Sequence, residues 1–150
     1  MPLLKVAVIG AGIMGSAIAT RLIERGCTVQ VFDLDSEKVA ALVSKGGIAA
    51  ANVAAATAAS DFVILSLNHA NIVRAVVFGN DGVASAASPE KLLIDMSSIA
   101  PGDTRRMAEK LASETGMKWV DCPLSGGVPG ALAGRLAIIA GGSTDDFERA

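Results

Sequence analysis

The sequence predicts an α/β fold, a doubly wound and mostly parallel sheet with helices on both faces. Three observations predict it. Short aliphatic runs alternate with longer segments of helical period along all 150 residues. Hydrophobic residues make up 51% of the chain but aromatic ones only 3%, a composition suited to aliphatic strands under close-packed helices. A glycine-rich turn, Gly10 to Gly15, separates the first strand-like run from the first helix-like one. A chain of this length is read as one domain, residues 1–150, with one core.

The elements follow in order. Lys5–Ile9, Val29–Phe32, Phe62–Leu65, Leu92–Asp95 and Lys118–Asp121 are short and mostly apolar without alternation, as strands buried on both faces are. Met14, Ile18 and Leu22 recur every four residues with Ala17 and Ile23 alongside, while Arg21, Glu24 and Arg25 face out. This is an amphipathic helix, ended by Gly26 in a left-handed cap. Asp35 or Ser36 caps a second helix through Val39 and Leu42. Asn68 or Asn71, and later Ser98, are placed to cap the helices that follow them. Pro101 suits the first turn of a helix running to about Thr115. Ser143 to Asp146 resembles a capping box opening a final helix, which the sequence cuts short at Ala150. The alternation of strands and helices predicts right-handed crossovers.

Charge and cysteine usage narrow the function. The net charge is −2, with both signs scattered, which gives no electrostatic case for nucleic acid or an anionic membrane. Three glycines interrupt the apolar N-terminal stretch and no basic segment precedes it. It therefore reads as the first strand of a soluble protein rather than a signal peptide or a membrane span. Cys27 and Cys122 match no metal or redox spacing. They are expected to be buried, reduced thiols of a cytoplasmic protein without a metal site.

The chemistry begins at "VAVIGAGIMGSAIA", where Gly10, Ala11, Gly12, Ile13, Met14 and Gly15 join strand to helix. Gly10 permits a tight turn, Gly12 lets the backbone approach a pyrophosphate, and Gly15 lets the helix lie close on the strand. The amides and dipole of the helix start then face the phosphates. Asp33 ends the second strand, 18 positions beyond Gly15, where a carboxylate accepts hydrogen bonds from the adenosine ribose. It would repel a 2′-phosphate, so NAD is expected over NADP. This context makes the sheet Rossmann-type. A methyltransferase using S-adenosylmethionine shares the loop and the acid, although it needs no pyrophosphate contact.

Two later strand ends should border the same ligand. One offers Leu67, Asn68 and His69; the other offers Ser97 and Ser98. His69, the only histidine, reads as a solvated or capping side chain more readily than as a general base.

Finally, "VIGAGIMG", "IDMSSIAP" and "DCPLSGGVPGALAGRLAIIAGG" occur in this order. The pattern D-x-P-x-S-G-G-x-x-x-A-x-x-G-x-L falls on Asp121, Pro123, Ser125, Gly126, Gly127, Ala131, Gly134 and Leu136. The sequence thereby resembles the β-hydroxyacid dehydrogenases, a family spanning 3-hydroxyisobutyrate dehydrogenase, tartronate semialdehyde reductase and 6-phosphogluconate dehydrogenase. The resemblance implies that Gly10 to Gly15 carry the pyrophosphate and Asp33 the ribose. Leu67 and Asn68 would flank the adenosine half, with Ser98 nearer the nicotinamide. Ser125, with the amides around Gly126 and Gly127, would bind the substrate carboxylate. Many members have Leu-Pro where this chain has Leu67-Asn68. The family also has an all-helical C-terminal domain whose lysine is the general acid/base. The sequence contains no match to that domain, and neither Lys110 nor Lys118 stands in for the lysine. The implied whole is a homo-oligomeric, NAD-dependent enzyme moving hydride to and from a small 3-hydroxy acid. This chain is its cofactor domain, with little turnover alone. A non-catalytic NAD-binding module is the alternative.

Overall fold

The computed structural model describes residues 3–150. Six parallel strands form the main sheet: β1 (Lys5–Ile9), β2 (Thr28–Phe32), β3 (Ile48–Ala49), β4 (Phe62–Leu65), β5 (Leu92–Asp95) and β6 (Lys118–Asp121). Their spatial order is β3-β2-β1-β4-β5-β6, so the chain winds outward from β1 in both directions. The helices are α1 (Ile13–Glu24), α2 (Ser36–Val43), α3 (Val53–Ala58), α4 (Ala70–Phe78), α5 (Pro101–Thr115), α6 (Gly127–Ala133) and α7 (Thr144–Arg149). A two-stranded antiparallel ribbon, β7 (Leu124–Ser125) with β8 (Ala137–Ile138), brackets α6.

The period of two along each strand divides the aliphatic residues between two cores. Val6, Val8, Val29, Val31, Ile64 and Val120 share one face with Ile18 of α1 and Ala131 of α6. Ala7, Ile9, Val63, Leu65, Leu93 and Trp119 share the other with residues of α3, α4 and α5. Each fully buried Leu or Ile contributes about 1.5–3 kcal/mol, which is why the runs carry no polar alternation.

Register sets up the site. Phe32, Ile9, Leu65, Asp95 and Asp121 are successive Cα partners across β2, β1, β4, β5 and β6. Asp33, Gly10, Ser66, Met96 and Cys122 therefore leave the sheet side by side at its carboxyl edge. That edge is where ligands of open α/β sheets bind.

The five expected strands are present, β2 beginning one residue earlier. Gly26 does take a left-handed φ of 84° after α1, and Asp35 caps α2 by accepting the amide of Glu37. Ser143 accepts the amide of Asp146 at the start of α7. Other expectations are corrected. His69, not Asn68 or Asn71, holds the N-cap position of α4, and it makes no side-chain cap bond. Ala100 precedes α5, so Ser98 caps nothing and stays exposed. Arg21 is half-buried because its guanidinium lies against Gly134, beyond α6. Cys27 and Cys122 are both free, but only Cys122 is buried.

Candidate functional site

The glycine turn is built from three different constraints. Gly10 has a φ of 98°, and its amide donates to the Phe32 carbonyl at 3.0 Å. A Cβ there would strike the Ser66 carbonyl oxygen. A Cβ on Gly15 would strike the Gly10 carbonyl oxygen, so helix α1 rides directly on the turn. Gly12 is different. Its φ of −67° is one any residue adopts, and a Cβ on it would meet nothing within 4 Å. The described residues give no steric reason for glycine at position 12, and the open space beside it lies at the start of α1. No side chain caps that end of the helix, and its first turn carries no acid. The positive end of the dipole is left uncompensated there.

Asp33 is half-buried and fixed by two amides. Its Oδ2 accepts the Ala11 amide at 2.6 Å and its Oδ1 accepts the Asp35 amide at 2.8 Å. The carboxylate thus ties the glycine turn to the start of α2. A carboxylate offers about four acceptor positions, so each oxygen keeps one for a ligand hydroxyl.

The loop after β4 closes on the same turn. The Ser66 amide donates to the Ile9 carbonyl at 3.0 Å, and the Leu67 side chain lies 3.0 Å from where a Gly10 Cβ would stand. The Leu67 amide donates to Ser97 Oγ at 3.0 Å, and the Ser97 amide donates to Asp95 Oδ1 at 2.9 Å. Asp95 is wholly buried, and its Oδ2 has no hydrogen-bond partner among the described residues. Burial pushes its carboxyl up to about 6, the charge of Asp121 pushes the same way, and the hydrogen bonds from Ser97 oppose both. Burial also raises Asp121. Cys122 is pushed up to about 11 by burial and by the two neighbouring carboxylates. Asn68, His69 and Ser98 are exposed at this edge.

The serine-glycine-glycine loop lies beside α1, because α6 packs on α1. Gly126 and Gly127 have φ values of 131° and 61°, a turn that side chains resist, so the backbone itself demands both glycines. Ser125 pairs with Ala137 in the ribbon and is exposed. The structure thus brings Gly10, Asp33 and Leu67 into one cluster, with Ser98 on the same edge. Ser125 lies on the ribbon that brackets α6. Sequence reasoning noticed Ser97 but not its link to Leu67, and it read Asp95 only as a strand end. A lone acid closing an aliphatic strand was the available signal.

A parallel sheet of this order, with such a turn and such an acid, defines a dinucleotide-binding domain. Residues 5–150 match the family described as the NAD binding domain of 6-phosphogluconate dehydrogenase, and the chain belongs to it. It is 44% identical over 146 residues to 2-(hydroxymethyl)glutarate dehydrogenase of Eubacterium barkeri, covering 97% of this chain and 48% of that protein. Identity to 3-hydroxyisobutyrate dehydrogenase of Pseudomonas aeruginosa is 38% over 145 residues, again 97% of this chain and 48% of the relative. The structure of Mycobacterium tuberculosis 3-hydroxyisobutyrate dehydrogenase with L-serine superimposes with a TM-score of 0.90 at 32% identity, covering 99% of this chain and 50% of that one. The chain spans about half the length of the curated relatives it matches.

Proposed function

We propose that this chain is the cofactor-holding part of an oxidoreductase that moves hydride between a small 3-hydroxy acid and NAD. The observation that carries the reading is Gly12: space stands open beside a residue that the protein itself does not require to be glycine. A pyrophosphate seated against that backbone explains it.

In this reading the turn from Gly10 to Gly15, with Ala11, Ile13 and Met14, receives the pyrophosphate. The Gly10 and Ala11 amides are already given to Phe32 and Asp33, so the donors are the later amides at the start of α1. Asp33, held in place by Ala11 and Asp35, accepts the two ribose hydroxyls with its remaining lone pairs. Those same lone pairs repel a 2′-phosphate, which selects NAD over NADP. Leu67 and Asn68 flank the adenosine half, and Ser98 borders the nicotinamide. Bound NAD supplies the hydride chemistry; the chain supplies position. The Ser125 hydroxyl and the amides around Gly126 and Gly127 hold the substrate carboxylate, the backbone nest accepting an anion without a Cβ in the way. 2-(Hydroxymethyl)glutarate, 3-hydroxyisobutyrate and L-serine, the compounds in the relatives' names, share a primary alcohol one carbon removed from a carboxylate-bearing centre. We place that pattern in the substrate of this protein too.

The free thiols favour a reducing, cytoplasmic setting, and no helix among the described residues is long and apolar enough to cross a membrane. Exposed Ile138, Ile139 and Phe147 favour association with further copies.

Calorimetric titration with NAD and NADP tests the proposal. NAD is expected to bind and NADP to bind at least tenfold more weakly, the gap narrowing in Asp33→Asn. Absence of NAD binding overturns the reading. Selectivity unchanged in Asp33→Asn moves the discrimination to another residue.

A further inference from the structure

We infer that Asp95 is a positioning residue for the cofactor, holding the Leu67–Asn68 loop against the glycine turn through the buried hydroxyl of Ser97. The inference rests on the NAD reading above.

The connection runs across three strands. Asp95 closes the aliphatic run Leu92–Asp95 on β5, next to the edge strand of the sheet, with Leu65 of β4 and Asp121 of β6 as its Cα partners. A carboxyl group in such a place is expensive unless its oxygens are used. One oxygen accepts the Ser97 amide. Ser97, itself 3% exposed, accepts the Leu67 amide with its hydroxyl oxygen. Leu67 in turn leans over Gly10. The loop that this series holds is the one placed beside the adenosine half, and it contains an exposed Asn68 where a stiffer Leu-Pro pair would need less support.

The second oxygen, Oδ2, is buried and without a partner among the described residues. That is the atom at which a proton can settle. The groups facing Asp95 are few. Asp121 ends β6 and its charge acts on Asp95; Cys122 stands just beyond it, its thiol held neutral at working pH. From α5, Arg105 borders the roughly 350 Å³ cleft that Asp121 also lines, and it is not among the groups that shift Asp95. A carboxylate binds the Ser97 amide about twice as strongly as a neutral acid does. The loop is accordingly tight when Asp95 is ionised and looser when it is protonated. NAD binding should weaken as the pH falls through about 6, the value to which burial raises this carboxyl.

The test measures two quantities on the purified protein: NAD affinity by calorimetry between pH 5.5 and 8, and hydrogen exchange at the Leu67 amide without ligand. In Ser97→Ala, Leu67 should exchange faster and the NAD Kd should rise about tenfold at pH 8, an amide having lost its buried acceptor. Ser97→Thr, which keeps the hydroxyl, should restore both. Asp95→Asn should bind more weakly than wild type at pH 8 and show a flat pH profile, whereas His69→Gln, lacking the only histidine, should keep the wild-type profile. Wild-type Kd and Leu67 protection in folded Ser97→Ala overturn the inference, and so does a pH profile that disappears with His69. If Asp95→Asn fails to fold, the Ser97 pair decides. A wild-type protein that binds no NAD overturns the proposed function instead, and Leu67 exchange still reports whether the linkage exists.

Discussion

Gly12 and Gly15 carry the same side chain, none, for opposite reasons. At Gly15 the protein leaves no room: a Cβ would strike the Gly10 carbonyl, and α1 would have to lift from β1. Gly15→Ala should therefore destabilise the fold by about 3 kcal/mol, in the range of overpacked cores. At Gly12 the backbone is ordinary and a Cβ would touch nothing. Gly12→Ala should leave stability within about 0.5 kcal/mol of wild type yet weaken NAD binding at least tenfold, since only the ligand needs the space. Urea unfolding and NAD titration of the two variants separate the roles, and equal losses of stability would refute the distinction. At this scale much of the site was legible. Gly10, Gly12 and Gly15 stand out in the sequence because three glycines fall within six residues between an aliphatic run and a helical one. Asp33 stands out because it ends the next aliphatic run, although its amide partner Ala11 is 22 positions away. Asp95 and Ser97 did not. Asp95 meets Ser97 two residues on, but Ser97 meets Leu67 30 residues away in the loop after β4, and only the register brings that pair together.

Elements were legible wherever a period existed. The five aliphatic runs and the four-residue recurrence in α1 exceed one turn or two strand pairs, long enough for a pattern to show. The two-residue strands β3, β7 and β8 have no period: β3 exists because the edge of β2 accepts it, and β7 and β8 because they pair with each other. Caps were read correctly where the side chain folds back on its own turn, as at Asp35 and Ser143. They were misread at α4 and α5, where Asn68 and Ser98 remain exposed toward the site. At α5, Pro101 opens the helix without a side-chain cap. The Asp35 cap is thermodynamically useful but remote from ligand contact. Its Oδ1 accepts the Glu37 amide at 3.0 Å, whereas its own amide, which Asp35→Ala retains, serves Asp33. Asp35→Ala should thus cost about 1 kcal/mol, a fall in Tm of roughly 2–4 °C for a chain of this size. NAD affinity should change by less than twofold, as calorimetry on the same sample can check.

For the whole molecule, the doubly wound topology followed from the order of the elements, but the electrostatic character of its centre did not. Asp95 titrates at about 6 in the folded protein against 3.8 for an ordinary aspartate. The folded state therefore binds this proton more tightly than the unfolded state. The resulting penalty is fully present above about pH 6, declines as the pH falls through that value, and vanishes below about 3.8. Its full size is about 3 kcal/mol, and Asp121, also raised by burial, acts in the same sense. Surface carboxylates also titrate in acid, so the raw pH profile mixes their contributions with that of Asp95. The difference between wild type and Asp95→Asn isolates the buried group, because the surface terms cancel. Unfolding free energies from urea titration at pH 5 and pH 7.5 should show wild type gaining about 1 kcal/mol on Asp95→Asn at the lower pH. A difference between the two proteins that stays constant over this range would mean that Asp95 keeps its charge throughout. The buried carboxylate at the end of β5 would then be solvated by something other than the groups now facing it.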